Sequence, residues 1–271
     1  MPMVPQASIV GMVITLLICV LVPFGGLIWL GTRRTAGEPR YPGVARAFAA
    51  GMLAFAVSQV LTRIPLMAWL STQSAPWAQW LISAPVASFS AGLFEETGRL
   101  LVMLWLLRRF RRWIDGVSFG LGHGGLEAIL LIGLTQLSNL GLALMINSGQ
   151  TAALDQLPAA SRERVVTALT QTSPLDFYLA GVERIAAIGL HAGLSVLILW
   201  GIVAGRRALA WVVAVAIHGV CNLAAVLLAT SGLPGASLLA ECVLLVLVAA
   251  FWVLFVWRSR PWFPVAPEPS R

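Results

Sequence analysis

The sequence predicts an all-α fold: a polytopic membrane helix bundle of about seven transmembrane helices. Of the 271 residues, 59% are apolar and only 11% are charged, whereas about a quarter of the residues in soluble domains are charged. The apolar residues also gather in runs of about 20 or more, the length of helix that crosses a hydrocarbon core about 30 Å thick. These two observations exclude a soluble globular domain.

Seven segments reach the length of a membrane span. From the N-terminus they cover about 8–30, 46–70, 80–107, 116–146, 177–204, 208–230 and 234–257. In the long connection after the fourth segment, residues 159–170 predict a short helix, either at the outer membrane interface or exposed as a linker. Residues 1–260 are predicted to form one integral membrane domain, and the Pro-rich stretch 261–271 has the composition of a disordered cytoplasmic tail.

The arginines predict the orientation of these spans. All 18 basic residues are arginines, and twelve of them lie in clusters after every second span. The clusters are Arg33, Arg34, Arg40 and Arg46; Arg108, Arg109, Arg111 and Arg112; Arg206 and Arg207; and Arg258 and Arg260. Because basic loops face the cytoplasm, the N-terminus is predicted outside and the C-terminus in the cytoplasm, in a membrane such as the bacterial plasma membrane. The same pattern indicates a lipid bilayer and no nucleic acid as the partner of these charges.

At least four of the spans contain ionisable side chains, which are costly in a bilayer and indicate a functional site. They are Glu95, Glu96 and Arg99 in the third, His123 and Glu127 in the fourth, Glu183, Arg184 and His191 in the fifth, and His218, with Asn222, in the sixth. At about 1.5 Å of rise per residue, the glutamate pair and the histidines lie roughly 12 to 23 Å from the cytoplasmic end. The sequence therefore predicts one polar layer near the middle of the membrane.

The spacing within each helix predicts how these side chains pair. Residues four apart lie one above the other, so Glu127 and Asn222 are placed to orient His123 and His218, although either could instead be a metal ligand. Arg99 is expected to neutralise one of the two adjacent glutamates, leaving the other to face the cavity. The neighbouring Glu183 and Arg184 are expected to form a structural ion pair.

This set of side chains suits the activation of water, and hence hydrolysis. A carboxylate could act as the base with histidine assistance, or the three histidines could hold a catalytic zinc ion. Other solutions are absent from the sequence: there is no HExxH helix, no GxGD aspartate pair and no GxSxG elbow. Ser195 is a weak candidate nucleophile, because no base arrangement accompanies it.

The motifs resemble those of a known group of membrane enzymes. Glu95-Glu96-x-x-Arg99, Phe119-x-x-x-His123 and His218-x-x-x-Asn222 occur in this order on three spans, as do the motifs of the CAAX-protease and bacteriocin-processing group. The longer stretches FEETGR, FGLGHGGLEA and VERIAAIGLHAGLSVL more closely resemble the YhfC family of intramembrane metalloproteases, relatives of the PrsW proteases. The likeness covers about residues 94–222, the expected motif core.

The resemblance implies a role for each matching residue. Glu95 would activate water, Glu96 would be a supporting acid, His123 and His218 would be the paired histidines, and Asn222 would stabilise the oxyanion or orient water. His191 is the addition of the YhfC-like pattern. The first motif has two residues between Glu96 and Arg99 where the wider group has three, which moves the arginine by about 100° around the helix and leaves open which glutamate it holds.

The resulting hypothesis is an intramembrane peptidase that acts on a membrane-associated peptide or protein, with zinc as a possible cofactor. Two other classes stay open at this point. Buried Glu, His and Arg also build ion- or proton-coupled transporters, although no second copy of FEETGR or HGGLE occurs in the other half of the chain. A non-catalytic scaffold or immunity-like membrane protein could also keep such a cluster, but apolar residues would usually be less costly.

Overall fold

The computed structural model describes residues 3–32, 43–150 and 152–264, and in these residues the chain is helical without strands. The helices are α1 (Gln6–Thr32), α2 (Gly43–Ser71), α3 (Pro76–Leu81), α4 (Ala84–Trp105), α5 (Trp113–Ser148), α6 (Ala152–Asp155), α7 (Ala159–Gln171), α8 (Pro174–Val203), α9 (Arg207–Ala229) and α10 (Ala236–Val256), followed by a 3₁₀ turn at Arg260–Trp262. Three of the long helices contain a π-helical stretch, at Ala56–Arg63 in α2, at Ala128–Gly133 in α5 and at Trp252–Val256 in α10.

The predicted all-α membrane bundle is confirmed. Six helices, α1, α2, α5, α8, α9 and α10, are long and apolar enough to cross a membrane. The remaining predicted span, the third, corresponds to α4, which has 22 residues and carries Glu95, Glu96 and Arg99. This chain is therefore an integral membrane protein, and α4, with its three ionisable residues, is the helix that begins the motif series.

The third predicted span differs from the structure at its start. Residues 80–83 do not belong to α4, because the chain first forms the short helix α3 and then turns at Ser83, which has extended backbone angles. Pro85 lies in the first turn of α4, where its missing N–H is not needed for a helical hydrogen bond. The expected helix at 159–170 is present as α7.

The two ends of the bundle differ in charge. At one end, the Val4 N–H donates to Asn147 Oδ1 at 2.8 Å, and Leu169 of α7 packs in a cluster with Phe177. At the other end, the Trp113 indole donates to the Val256 carbonyl at 2.9 Å. This second end gathers the arginines of 108–112, 206–207 and 258–260, whereas Arg33, Arg34 and Arg40 lie outside the described residues.

The ordered chain continues past the predicted domain end at residue 260. The rings of Trp262 and Phe255 lie 6.2 Å apart, and Phe263 is buried in the main apolar core. The beginning of the predicted tail is thus packed against the bundle. Residues 265–271, the rest of that tail, lie outside the described residues.

Helix α8 is the centre of the bundle and the most buried of the six spans. It packs against α1, α4, α5, α9 and α10. Glycines bring α5 close to its neighbours: a Cβ atom on Gly120 would lie 2.3 Å from Ala192 Cα, and one on Gly122 would lie 2.0 Å from the Phe48 carbonyl oxygen. The glycines next to His123 therefore serve helix packing, and they insert this histidine between α2 and α8.

This packing predicts a large effect of one methyl group. Gly122→Ala is expected to lower the stability of the purified protein by about 1–3 kcal/mol, because the added Cβ forces two helix backbones apart. Thermal unfolding in detergent measures the change. Gly141→Ala on the same helix is the control, since a Cβ there meets nothing within 4 Å. Equal unfolding midpoints for the two variants would contradict the close packing of α2 and α5.

Candidate active site

The carboxylate of Glu95 lies among the three histidines of the chain. Its Oε2 atom is 2.9 Å from His123 Nε2 and 3.8 Å from His191 Nδ1, and its Oε1 atom is 3.9 Å from His218 Nε2. These side chains come from α4, α5, α8 and α9, and none of the four residues is more than 4% exposed. The structure thus brings together the polar layer that the sequence predicts.

The imidazole rings pack against one another and against apolar walls. The ring centroids of His123 and His191 are 4.8 Å apart, and those of His191 and His218 are 5.2 Å apart. Phe55 contacts the His123 ring edge-on and Phe119 stacks on it. His123 Nδ1 is buried without a hydrogen-bond partner among the described residues, so the polar contact of this histidine is made through Nε2.

Arg99 holds Glu96 and leaves Glu95 free to face the histidines. The guanidinium Nε is 2.8 Å from Glu96 Oε2, and its NH2 group donates to Glu96 Oε1 at 3.2 Å. His218 Nδ1 lies 2.9 Å from the same Oε1 atom. The question left open by the motif spacing is therefore answered by the structure: Glu96 is the neutralised glutamate, and it is bound to His218.

Arg99 also contacts α8. It donates to the His191 carbonyl at 2.8 Å and lies 2.9 Å from His191 Nδ1. Because a guanidinium only donates, this Nδ1 atom accepts, and the proton of the neutral ring lies on Nε2. Ser195 contacts Arg99 and donates to the His191 carbonyl at 2.8 Å, which places this hydroxyl in a structural contact.

Glu127 contacts α8 instead of its predicted neighbour His123. Its Oε2 atom is 2.5 Å from His191 Nε2, and its Oε1 atom accepts from Arg184 at 3.1 Å. Arg184 also pairs with the adjacent Glu183. Arg184 on the neighbouring helix supplies the positive charge that a buried carboxylate requires, and the carboxylate of Glu127 is directed at α8 rather than along its own helix.

Asn222 lies one turn after His218 and is partly buried. Among the described residues, no hydrogen bond joins it to His218, whose Nδ1 atom is bound to Glu96. The role of Asn222 that the resemblance implies thus stays a prediction.

Three polar residues of the membrane spans are not predicted from the sequence as part of the polar layer. Gln59 donates to Glu95 Oε1 at 2.5 Å, and Arg63 donates to Gln59 Oε1 at 3.3 Å. Glu241 of α10 has a buried Oε2 atom without a partner among the described residues. The signal was available for Arg63 and Glu241, since each is an ionisable residue inside a predicted span, whereas an isolated glutamine such as Gln59 gives little indication of its role.

The donor atoms fit a zinc ion. Glu95, His123 and His191 each offer a ligand atom within 4.8 Å of the others, and so do Glu96, His191 and His218. Imidazole nitrogens and carboxylate oxygens are the ligands of catalytic zinc sites.

Charge balance supports the same fit. Glu96 is paired with Arg99 and Glu127 with Arg184. Within the described part of the chain, Glu95 has no arginine at ion-pair distance, although it is only 4% exposed. A buried carboxylate without a compensating charge is costly, and a bound cation would provide that charge.

Fold and site together define a polytopic α-helical membrane protein with a buried Glu/His cluster able to accommodate a metal ion. The model of the family described as YhfC intramembrane metalloprotease matches residues 18–244. The chain belongs to this YhfC family. It is 30% identical over 268 residues to the uncharacterized membrane protein YhfC of Bacillus subtilis (strain 168), covering 95% of this chain and 98% of that protein. No solved structure gives a significant match.

Proposed function

We propose that this protein is an intramembrane metalloprotease that hydrolyses a membrane-associated peptide or protein. The observation that carries the proposal is the convergence of three imidazoles on Glu95, a buried carboxylate that no arginine among the described residues neutralises. The family description supports the reaction class, and the arginines gathered at one end of the bundle support a cytoplasmic C-terminus and entry of substrate from the cytoplasmic half of the membrane.

His123, His191 and His218 would hold the zinc ion, and binding through His191 Nδ1 would replace the contact of this atom with Arg99. Zinc bound there supplies a Lewis acid that makes water a better nucleophile near neutral pH. The other polar groups orient these ligands: Glu96 accepts from His218, and the Glu127 carboxylate lies 2.5 Å from His191 Nε2. Such partners fix the ring orientation of a ligating histidine.

Glu95 is the base of the proposed reaction. Its carboxylate accepts a proton as the oxygen of water bonds to the carbonyl carbon of the peptide, and it then donates that proton to the amide nitrogen as the C–N bond breaks. The products are a carboxylic acid and an amine, which exchange the remaining proton to become a carboxylate and an ammonium, so atoms and protons balance. Arg99 supports this assignment, because it holds Glu96 and leaves Glu95 to react.

Metal analysis tests the proposal. Protein purified in detergent without chelators is expected to contain near-stoichiometric zinc by mass spectrometry, and His123→Ala, His191→Ala and His218→Ala are each expected to lose it. Glu241→Gln is the control, because it changes a membrane-embedded carboxylate outside the cluster. Each variant must elute as the unmodified protein does, so that lost metal is not lost folding. A metal-free unmodified chain would overturn the proposal, as would zinc retained in all three histidine variants.

A further inference from the structure

Gln59 makes a contact that the proposed reaction does not explain. It lies in the π-helical stretch of α2 and is 4% exposed. Its Nε2 atom donates to Glu95 Oε1 at 2.5 Å, while Glu95 Oε2 faces His123 at 2.9 Å. The two oxygens of the reacting carboxylate thus have different partners, and Gln59 holds the one that faces away from His123.

Arg63 fixes the orientation of the Gln59 amide. Its NH1 group lies 3.3 Å from Gln59 Oε1. Since a guanidinium has only donors, the amide oxygen must face Arg63, and the NH₂ group must face Glu95. The hydrogen bond to Glu95 is therefore defined in direction.

Arg63 is itself bound to the helix that carries Glu95. Its Nε atom donates to Ser90 Oγ at 3.1 Å, and its NH2 group donates to the Ala87 carbonyl at 2.7 Å. The contacts form a closed circuit from α4 through Arg63 and Gln59 back to Glu95. Close packing supports it, because a Cβ atom on Gly98 of α4 would lie 2.9 Å from Ser58 Cβ.

The same design occurs twice more in the site. His218 is bound to Glu96, which Arg99 holds, and His191 is bound to Glu127, which Arg184 holds. The contacts from Arg63 through Gln59 differ in two respects: they end on a carboxylate instead of a histidine, and their middle residue is a neutral amide instead of a carboxylate. An amide donates to Glu95 without neutralising its charge, so the carboxylate keeps its attraction for a cation.

We propose that Gln59, oriented by Arg63, is a positioning residue that holds the Glu95 carboxylate toward the three histidines. This inference rests on the proposed metalloprotease function. Because Glu95 lies 2.9 to 3.9 Å from a nitrogen of each histidine, its placement sets the electrostatic environment of a cation bound there. Loss of such an outer contact typically weakens metal binding 10- to 100-fold.

Zinc affinity, measured by competition with a chelator of known affinity, tests the inference. Gln59→Met keeps the side-chain size and removes the donor, and it is expected to weaken zinc binding about tenfold or more. Gln136→Met is the matched control, because Gln136 is also a buried glutamine of a membrane span but belongs to no contact of the site. Arg63→Met is expected to weaken binding in the same direction, and Arg63→Lys to restore part of it. Equal zinc affinity of Gln59→Met and the unmodified chain would overturn the inference.

A second measurement separates this inference from the proposed function. If the unmodified chain bound no zinc, the metalloprotease proposal would fail. A double-mutant cycle on the metal-free protein would then decide whether Gln59 holds Glu95. Gln59→Met and Glu95→Met are combined, and thermal unfolding in detergent is measured. Non-additive shifts in the unfolding midpoint are expected for residues in contact. Additive shifts would show that Gln59 does not hold Glu95.

Discussion

Glu95→Gln is expected to reduce peptide hydrolysis at least about 100-fold, the usual contribution of a general base. The substitution keeps the shape of the side chain and an oxygen that accepts from Gln59, but it removes the group that takes the proton from water. Glu96→Gln is not expected to remove the base, because Glu96 is bound to Arg99 and His218 and its role is to orient them.

Membrane vesicles that contain the protein provide the assay. New peptide ends formed in the presence of the unmodified chain are identified by mass spectrometry, with zinc in excess so that metal loading does not limit the rate. These ends should disappear with Glu95→Gln and persist with Glu241→Gln, the control carboxylate in α10. Peptide ends that form at the same rate with Glu95→Gln would refute its assignment as the base.

Arg99→Met is expected to cause the largest loss of stability, about 3–5 kcal/mol, because it leaves the Glu96 charge buried without its partner. Both residues are fully buried, so neither water nor lipid headgroups can replace the lost contact. The double variant Arg99→Met with Glu96→Gln should recover a large part of the loss, since the uncompensated charge is then absent.

Thermal unfolding in detergent measures this effect, and Arg162→Met is the matched control. Arg162 also pairs with a carboxylate, Asp155 at 2.8 Å, but this pair is exposed, and such pairs contribute about 0–1 kcal/mol. Arg99→Met should therefore be far less stable than Arg162→Met. Similar stabilities for the two variants, or no recovery in the double variant, would show that the Glu96–Arg99 pair does not stabilise the fold.

The sequence predicts the fold well, because apolar run length is a direct physical requirement of the bilayer. It also predicts that the ionisable residues of four helices share one depth. The side-chain contacts within the site are harder to predict from the sequence, because each depends on the position of the neighbouring helix. His123 and Glu127 are four residues apart, yet Glu127 contacts His191 and Arg184 of the neighbouring helix.

The partners of Glu95 illustrate the same limit. Two adjacent glutamates and one arginine permit either pairing, and only the position of α8 shows why Arg99 binds Glu96: the guanidinium also reaches the His191 carbonyl. Gln59 is harder still to predict, because a neutral residue in a π-helical stretch has no distinctive spacing. Arg63, by contrast, is an arginine within a predicted span and could have been included in the polar layer.

The polarity of α4 has a consequence for how the protein is made. An arginine at the centre of an isolated helix costs about 3 kcal/mol to insert into a membrane, and α4 adds two carboxylates to that cost. Its polar partners lie partly on α8 and α9, which leave the ribosome much later. We expect α4 to settle in the bilayer only once those helices have been synthesised, so nascent chains that end before α9 should be removed by quality-control proteases.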